Sequence, residues 1–209
     1  MLTHLFASVA LAEERPAISD HHNDETEEHE DPELEETFRQ ISVSRGYVSN
    51  LMRTIAHAPE GLRPFAAFGA YCRYGTELTE MQRELAILVV VRDVAYGWQH
   101  HAPLGLAAGL TEEQLRLIRE GRAPRDLEPP ELALCEFAFE ITAWRRPPPR
   151  IEEAVHGFFT PRQIVDFALL TSYYMAVAAM AIVLDISLEA PEVLRREQVW
   201  QAQYGGESV

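Results

Sequence analysis

Apolar positions fall at helical spacing along most of this chain. The run Glu84 to Val91, ELAILVVV, is apolar apart from its first residue. A helix that is apolar all round is a buried helix. Thr79 and Gln82 precede it as an S/T-x-x-E/Q capping box, which satisfies orphan N–H groups at a helix start. Thr111 with Gln114 and Thr160 with Gln163 repeat the device, the last with Pro161 at the first helical position. Such start signals, each ahead of an apolar run, predict an all-α domain.

The same pattern predicts a short helix over 48–56 and another over 62–74, with Phe65, Phe68 and Cys72 on one face. Gly75 stops that helix. Gly109 and Gly121 stop two more, the second a short helix over 112–120. An amphipathic helix follows over 131–144, with Leu132, Cys135 and Phe139 inward, then a short one over 151–159. A long closing helix covers 161–185, and its alanines at 176, 178, 179 and 181 offer a close-packing face. A terminal helix is expected over 192–200.

Composition adds a boundary. The chain has 209 residues, 47% of them hydrophobic, enough for one sizeable core. SDHHNDETEEHEDPELEE has almost no apolar residue and cannot offset the entropy of ordering. Residues 1–34 therefore read as an acidic disordered tail, 35–190 as the helical domain, and 191–209 as a terminal helix with a frayed end. His21, His22 and His29 in the tail read as solvated. Met1 to Ala12 is apolar but has no Lys or Arg, so it is not read as a signal peptide.

The net charge of −15 argues against a nucleic-acid partner and against binding to anionic membranes. No stretch reads as a membrane span; the nearest, 168–186, contains Tyr173, Tyr174 and Asp185 and reads as a buried helix. Cys72 and Cys135 read as core residues. Two cysteines suggest no disulfide framework, and a reducing, cytoplasmic location is the default.

Candidate chemistry centres on Glu84 and on YGWQHH, 96–101. Glu84 shares a face with Ile87, Leu88 and Val91, which would bury its carboxyl; its place in the first turn allows an exposed role as well. His101 lies one turn from Trp98 and from Gly105. Pro103 cannot donate to the carbonyl of Gln99, so a kink and a free acceptor are expected beside His101. A histidine there is a candidate acid or base, and the commoner alternative is a buried histidine satisfied by one carbonyl. His100 points about 100° away and reads as a surface residue or a supporting partner. No third ligand is spaced for zinc, so no metal is expected.

Taken together, RELAIL followed by YGWQHHAPLGLAAGLTEEQ resembles the helical signature of the carboxymuconolactone decarboxylase and alkylhydroperoxidase D-like superfamily. The upstream stretch GYVSNLMRTIAHAPEGLRPFAAFGAYCRYGTELT is similar to that family's lead-in. FTPRQIVDFALLTSYYMAVAAMAIVLDISLE is similar to its closing helix. The resemblance covers residues 43–189 and implies an alkylhydroperoxidase D-like multi-helical bundle.

The peroxidase branch of that family carries Cys-x-x-Cys ahead of the histidine. Aligned on His101, those positions hold Val94 and Gly97, and no Cys-x-x-Cys occurs anywhere in the chain. Thiol peroxidase chemistry needs a low-pKa thiolate and a resolving thiol, so it is not expected. Relatives without the cysteines often carry a carboxylate where Gly97 stands. The Glu84-to-His101 spacing is also shorter than in such relatives.

Two function readings follow. The first is a decarboxylase-like lyase. The resemblance implies a small organic acid or lactone as substrate, no organic cofactor and no metal, and a homotrimer or homohexamer built through the closing helix around Tyr173 to Ile182. In that reading His101 is the acid or base, Glu84 its partner, and Trp98, Tyr96 and His100 substrate-binding. The second is a non-catalytic oligomeric scaffold or ligand binder on the same fold.

Overall fold

Each of the three capping boxes forms as the sequence predicts. Thr79 Oγ1 accepts from the Gln82 amide at 3.2 Å, and Gln82 Oε1 accepts from the Thr79 amide at 3.0 Å. The boxes at Thr111 and Thr160 close in the same reciprocal way. These starts fix where three core helices enter, and hence where Glu84 lies relative to the first turn.

The structure is a computed structural model and describes residues 31–204, which are all helix, turn or loop; no strand occurs among the described residues. The helices are α1 (Pro32–Arg45), α2 (Asn50–Ile55), α3 (Pro59–Ala70), α4 (Glu80–Val91), α5 (Ala95–Ala107), α6 (Glu112–Arg119), α7 (Pro129–Thr142), α8 (Pro149–Phe158), α9 (Pro161–Val183) and α10 (Pro191–Tyr204). A π-helical turn, Tyr71–Gly75, extends α3. The all-α expectation holds.

Helix α4 is the axis of the fold. It packs on α9, α5 and α7, and Leu85 to Val89 and Val91 are all buried. An apolar helix needs neighbours on every side, and here it has them. Helix α5 runs on through Pro103 to Ala107. Its first turn lies very close to the end of α4. A Cβ on Gly97 would stand 2.7 Å from Val91 Cβ, so no larger residue fits while Val91 is in place. Glycine at 97 thus has a packing reason.

The expected domain boundary at residue 34 moves. Asp31 caps α1 by accepting from the Glu33 amide at 2.9 Å, and Leu34 is buried with Phe38, Ile41, Met52 and Leu62 in a second apolar cluster. The acidic composition hid this start, because Glu33, Glu35 and Glu36 are on the exposed face of α1. The rest of the predicted tail, residues 1–30, with the apolar start and His21, His22 and His29, lies outside the described residues.

Helix α9 is long and apolar enough to cross a membrane by length and composition, although no such stretch was expected. It buries Phe167, Leu170, Tyr173, Tyr174 and Val177 against its neighbours, which is the pattern of a core helix. Asp166, fully buried near its start, accepts from the Glu77 amide at 2.9 Å and from the Tyr71 hydroxyl. Arg162 binds the same carboxylate at 3.0 Å and reaches the Gly75 carbonyl at 3.4 Å. This group pins the π-helical turn to α9.

The capped first turn of α1 carries stability. Leu34→Ala is expected to cost about 2 kcal/mol and Asp31→Ala about 1 kcal/mol. Urea unfolding checks both; a wild-type midpoint for Leu34→Ala would show that α1 is not part of the folded domain.

Candidate active site

Glu84 lies on the first half of α4 and is buried at 6% exposure, which selects the buried alternative for its carboxyl. Its Oε2 is 2.7 Å from His101 Nδ1. The shorter spacing between them is no obstacle, because the tight turn after Val91 brings α5 back against α4. With Nδ1–H donating to Glu84, His101 Nε2 is the nitrogen left for proton exchange. The Tyr174 ring meets the imidazole edge-on at 4.9 Å between centroids and fixes its plane.

His100, read as a surface residue or a supporting partner, is buried at 7% exposure, which rules out the first. Its Nδ1 lies 2.6 Å from Glu197 Oε2 and 3.2 Å from the Tyr47 hydroxyl. The partner that buries it comes from α10, far along the chain. Tyr96 is buried beside it and donates to Glu189 Oε1 at 2.9 Å; the Asn50 amide donates to the same oxygen at 2.7 Å.

His101, His100 and Tyr96 all line one cavity of about 50 Å³, together with Arg73, Tyr173 and Glu197. Trp98, predicted as a wall, does not line it. Its ring lies under the Arg119 guanidinium at 4.9 Å, and it packs against the main core instead. Four of the five predicted residues therefore gather here, with Glu84 held behind His101.

Sequence reasoning missed the charged lining. Arg73 is presented by the π-helical turn, a device common at functional sites, and is buried at 7% exposure. Its Nη1 is 3.4 Å from Glu197 Oε1. Arg45, at the end of α1, and Tyr173 also face the cavity. Arg73 left a faint trace in the sequence, as an arginine inside the apolar stretch 65–74; Glu197 left none.

Electrostatics follow from burial and pairing. Burial acts to raise the Glu197 carboxyl, but the bond to His100 and the nearby Arg73 outweigh it and hold it at about 2. Burial raises Glu189 and pushes the Tyr47, Tyr96 and Tyr174 phenols above their ordinary range. Burial also pushes the Cys72 and Cys135 thiols up to about 12. Both cysteines are free and buried, and neither lines the cavity.

No protein-family model and no curated protein sequence matches the chain. Solved structures do. The alkylhydroperoxidase AhpD core of an uncharacterized peroxidase-related protein from Ralstonia eutropha JMP134 aligns at a TM-score of 0.65 with 19% identity, over 79% of this chain and 89% of that one. The debrominase Bmp8 in its apo form aligns at 0.62 with 15% identity, over 79% and 92% of the two chains. A cysteine-to-alanine variant of Bmp8 bound to 2,3,4-tribromopyrrole aligns at 0.63 with 15% identity, over 80% and 90%. The chain therefore has the alkylhydroperoxidase D-like fold.

Glu197 yields a pH prediction. Its carboxyl sits at about 2 in the folded protein against an ordinary 4.5. A depressed carboxylate stabilises the fold fully above its ordinary value and loses that contribution as pH falls toward its folded value. Acid unfolding should therefore steepen between about pH 4.5 and 2, and Glu197→Gln should flatten that limb. Identical acid limbs in the two proteins would contradict the pairing.

Proposed function

We propose that the protein is a carboxymuconolactone decarboxylase-like, cofactor-independent acid/base enzyme acting on a small organic acid or lactone. The observation that carries this reading is the buried His101–Glu84 pair at 2.7 Å, with His101 on the wall of a cavity. Proton transfer at a carbon beside a carbonyl needs one placed acid/base and a partner that stabilises its charge. In a decarboxylation the C–C bond to the carboxylate breaks and CO2 leaves. The electron pair enters the adjacent carbonyl as an enolate, and protonated His101 delivers the proton. Glu84 stabilises the imidazolium before that step.

Thiol peroxidase turnover does not belong to this reading. Both thiols are held at about 12, so neither supplies a thiolate near neutral pH. Dithiol-driven peroxide consumption lost on Cys72→Ser or Cys135→Ser would reverse that point.

A homotrimer or homohexamer in the cytoplasm completes the proposal. Val165, Ala168, Ser172, Ala176, Ala179 and Val183 are exposed along the outer side of α9 at helical spacing. That side is the interface we assign to the oligomer; Ala178 faces inward and is not part of it. Ala179→Glu should reduce the mass seen by light scattering, because a buried unpaired charge costs several kcal/mol. A wild-type protein at 23.7 kDa by scattering would refute the oligomer.

The enzyme reading is tested on a panel of lactones and keto acids. Turnover should fall by a factor of about 10² to 10⁴ in His101→Ala, and substantially in Glu84→Gln, with helicity intact. Turnover unchanged in both variants would remove the His101–Glu84 pair from the chemistry, and no turnover on any acid or lactone would leave the non-catalytic ligand-binding reading in its place.

A further inference from the structure

Seven buried side-chain atoms among the described residues lack a hydrogen-bond partner, and four belong to residues lining the cavity beside His101. They are Arg45 Nη2, Arg73 Nη2, Tyr173 Oη and His100 Nε2. Buried polar atoms are almost always satisfied, so a cluster of them without partners calls for an occupant, whether solvent or ligand. Arg73, Tyr173 and His100 are 7%, 2% and 7% exposed. Three of the four atoms are donors, of which Arg45 and Tyr173 have at most each other, and two belong to guanidiniums, which never lose their charge in practice.

The surroundings hold these donors in place. Gly69 leaves the space in which Arg45 and Tyr173 meet. A Cβ there would stand 2.2 Å from Tyr173 Oη and 2.5 Å from Arg45 Nη2. The rings of Phe65 and Phe68 pack on Tyr173 at 4.8 and 5.3 Å and orient its hydroxyl. Arg73 rides on the π-helical turn that Asp166 pins. One carboxylate already lines the cavity, that of Glu197. It takes Nη1 of Arg73 and Nδ1 of His100, and leaves Nη2 and Nε2 unused.

We propose that this cavity is a carboxylate-binding subsite, in which Arg45, Arg73 and Tyr173 donate to the carboxylate of a small organic acid and His100 flanks it. The assignment rests on the reading of the cavity as the substrate site, and it narrows the substrate to an anion. A carboxylate is planar and matches the fork of a guanidinium. The volume of about 50 Å³ holds a carboxylate head and a short stem. Two guanidiniums stabilise the very charge that a departing carboxylate must disperse. The anchored carboxylate is therefore the one the substrate keeps, and proton transfer at His101 takes place elsewhere on the molecule. Glu197 acts as an internal competitor for Arg73 and His100.

Calorimetric titration of the full-length protein with sodium acetate at neutral pH tests this, with acetamide as the neutral isostere. Acetate should bind saturably, with Kd on the order of 1 mM or tighter, and acetamide should not. Tyr173→Phe keeps the ring packing and should weaken acetate about tenfold; Arg73→Met should weaken it further. Glu197→Gln should tighten it, an outcome that a purely structural role for Glu197 would not give. If Arg73→Met does not fold, Tyr173→Phe and Glu197→Gln decide. Acetate binding that matches acetamide, or that ignores all three substitutions, overturns the subsite. So does the absence of saturable binding. His101→Ala should retain acetate binding, which separates the two proposals. Acetate bound without any turnover keeps the subsite and rejects the enzyme, whereas turnover of neutral lactones without acetate binding does the reverse.

Discussion

Two carboxylate–imidazole pairs, Glu84 with His101 and Glu197 with His100, are buried back to back on one helix, and the arrangement around them follows from satisfying both. A buried charge left without its partner costs about 3–5 kcal/mol, so each member of a pair holds the other in place. Adjacent residues on a helix point about 100° apart. His101 therefore turns to α4 and His100 turns toward the chain ends. Helix α5 can bury both only if a layer covers each side. Helix α4 supplies one, and α10, arriving from the far end of the sequence, supplies the other.

Close packing makes those short bonds possible. Gly97 brings α5 against Val91, and this approach sets the reach from His101 to Glu84. Gly69 does the same on the other side of the cavity, where Arg45 and Tyr173 fill the space over its backbone. Both glycines trade side-chain contact for polar geometry. Gly97 thus helps bring Glu84 within hydrogen-bond distance of His101.

Local signals carried most of the fold. The capping boxes, the apolar run of α4 and the glycine stops at 109 and 121 each act within a turn or two, and all appear where the sequence puts them. Glu84 and His101 were legible for the same reason, since both sit on strongly patterned helices. The other half of the site was not. Whether His100 is buried depends on Glu197, and whether Arg73 is functional depends on α1, α9 and α10 together. Periodicity reports which face of a helix is apolar, not which distant charge will meet it. Trp98 failed as a wall because sharing a face with His101 does not decide which neighbour that face meets; Arg119 on α6 claims the indole. Acidic composition misled once, at Leu34, where a single buried face was enough to start a helix among glutamates.

Helix α10 carries opposing demands. Glu197 completes the core by pairing with Arg73 and hydrogen-bonding His100, and Trp200 seats the helix against Gly46, where a Cβ would stand 2.7 Å from the indole. The same carboxylate occupies part of the polar lining that an incoming acid would use. Such an acid does not create a new ion pair in an apolar hole; it exchanges with one that already exists. The desolvation of Arg73 and His100 was met when the protein folded, so an incoming acid meets donors already fixed in place. It also gains little net electrostatic energy, because Glu197 must give up part of what it held. In the proposed subsite, then, binding is selective and modest and release is ready, as a site that discharges a product requires, and both follow from an anchor carried by α10.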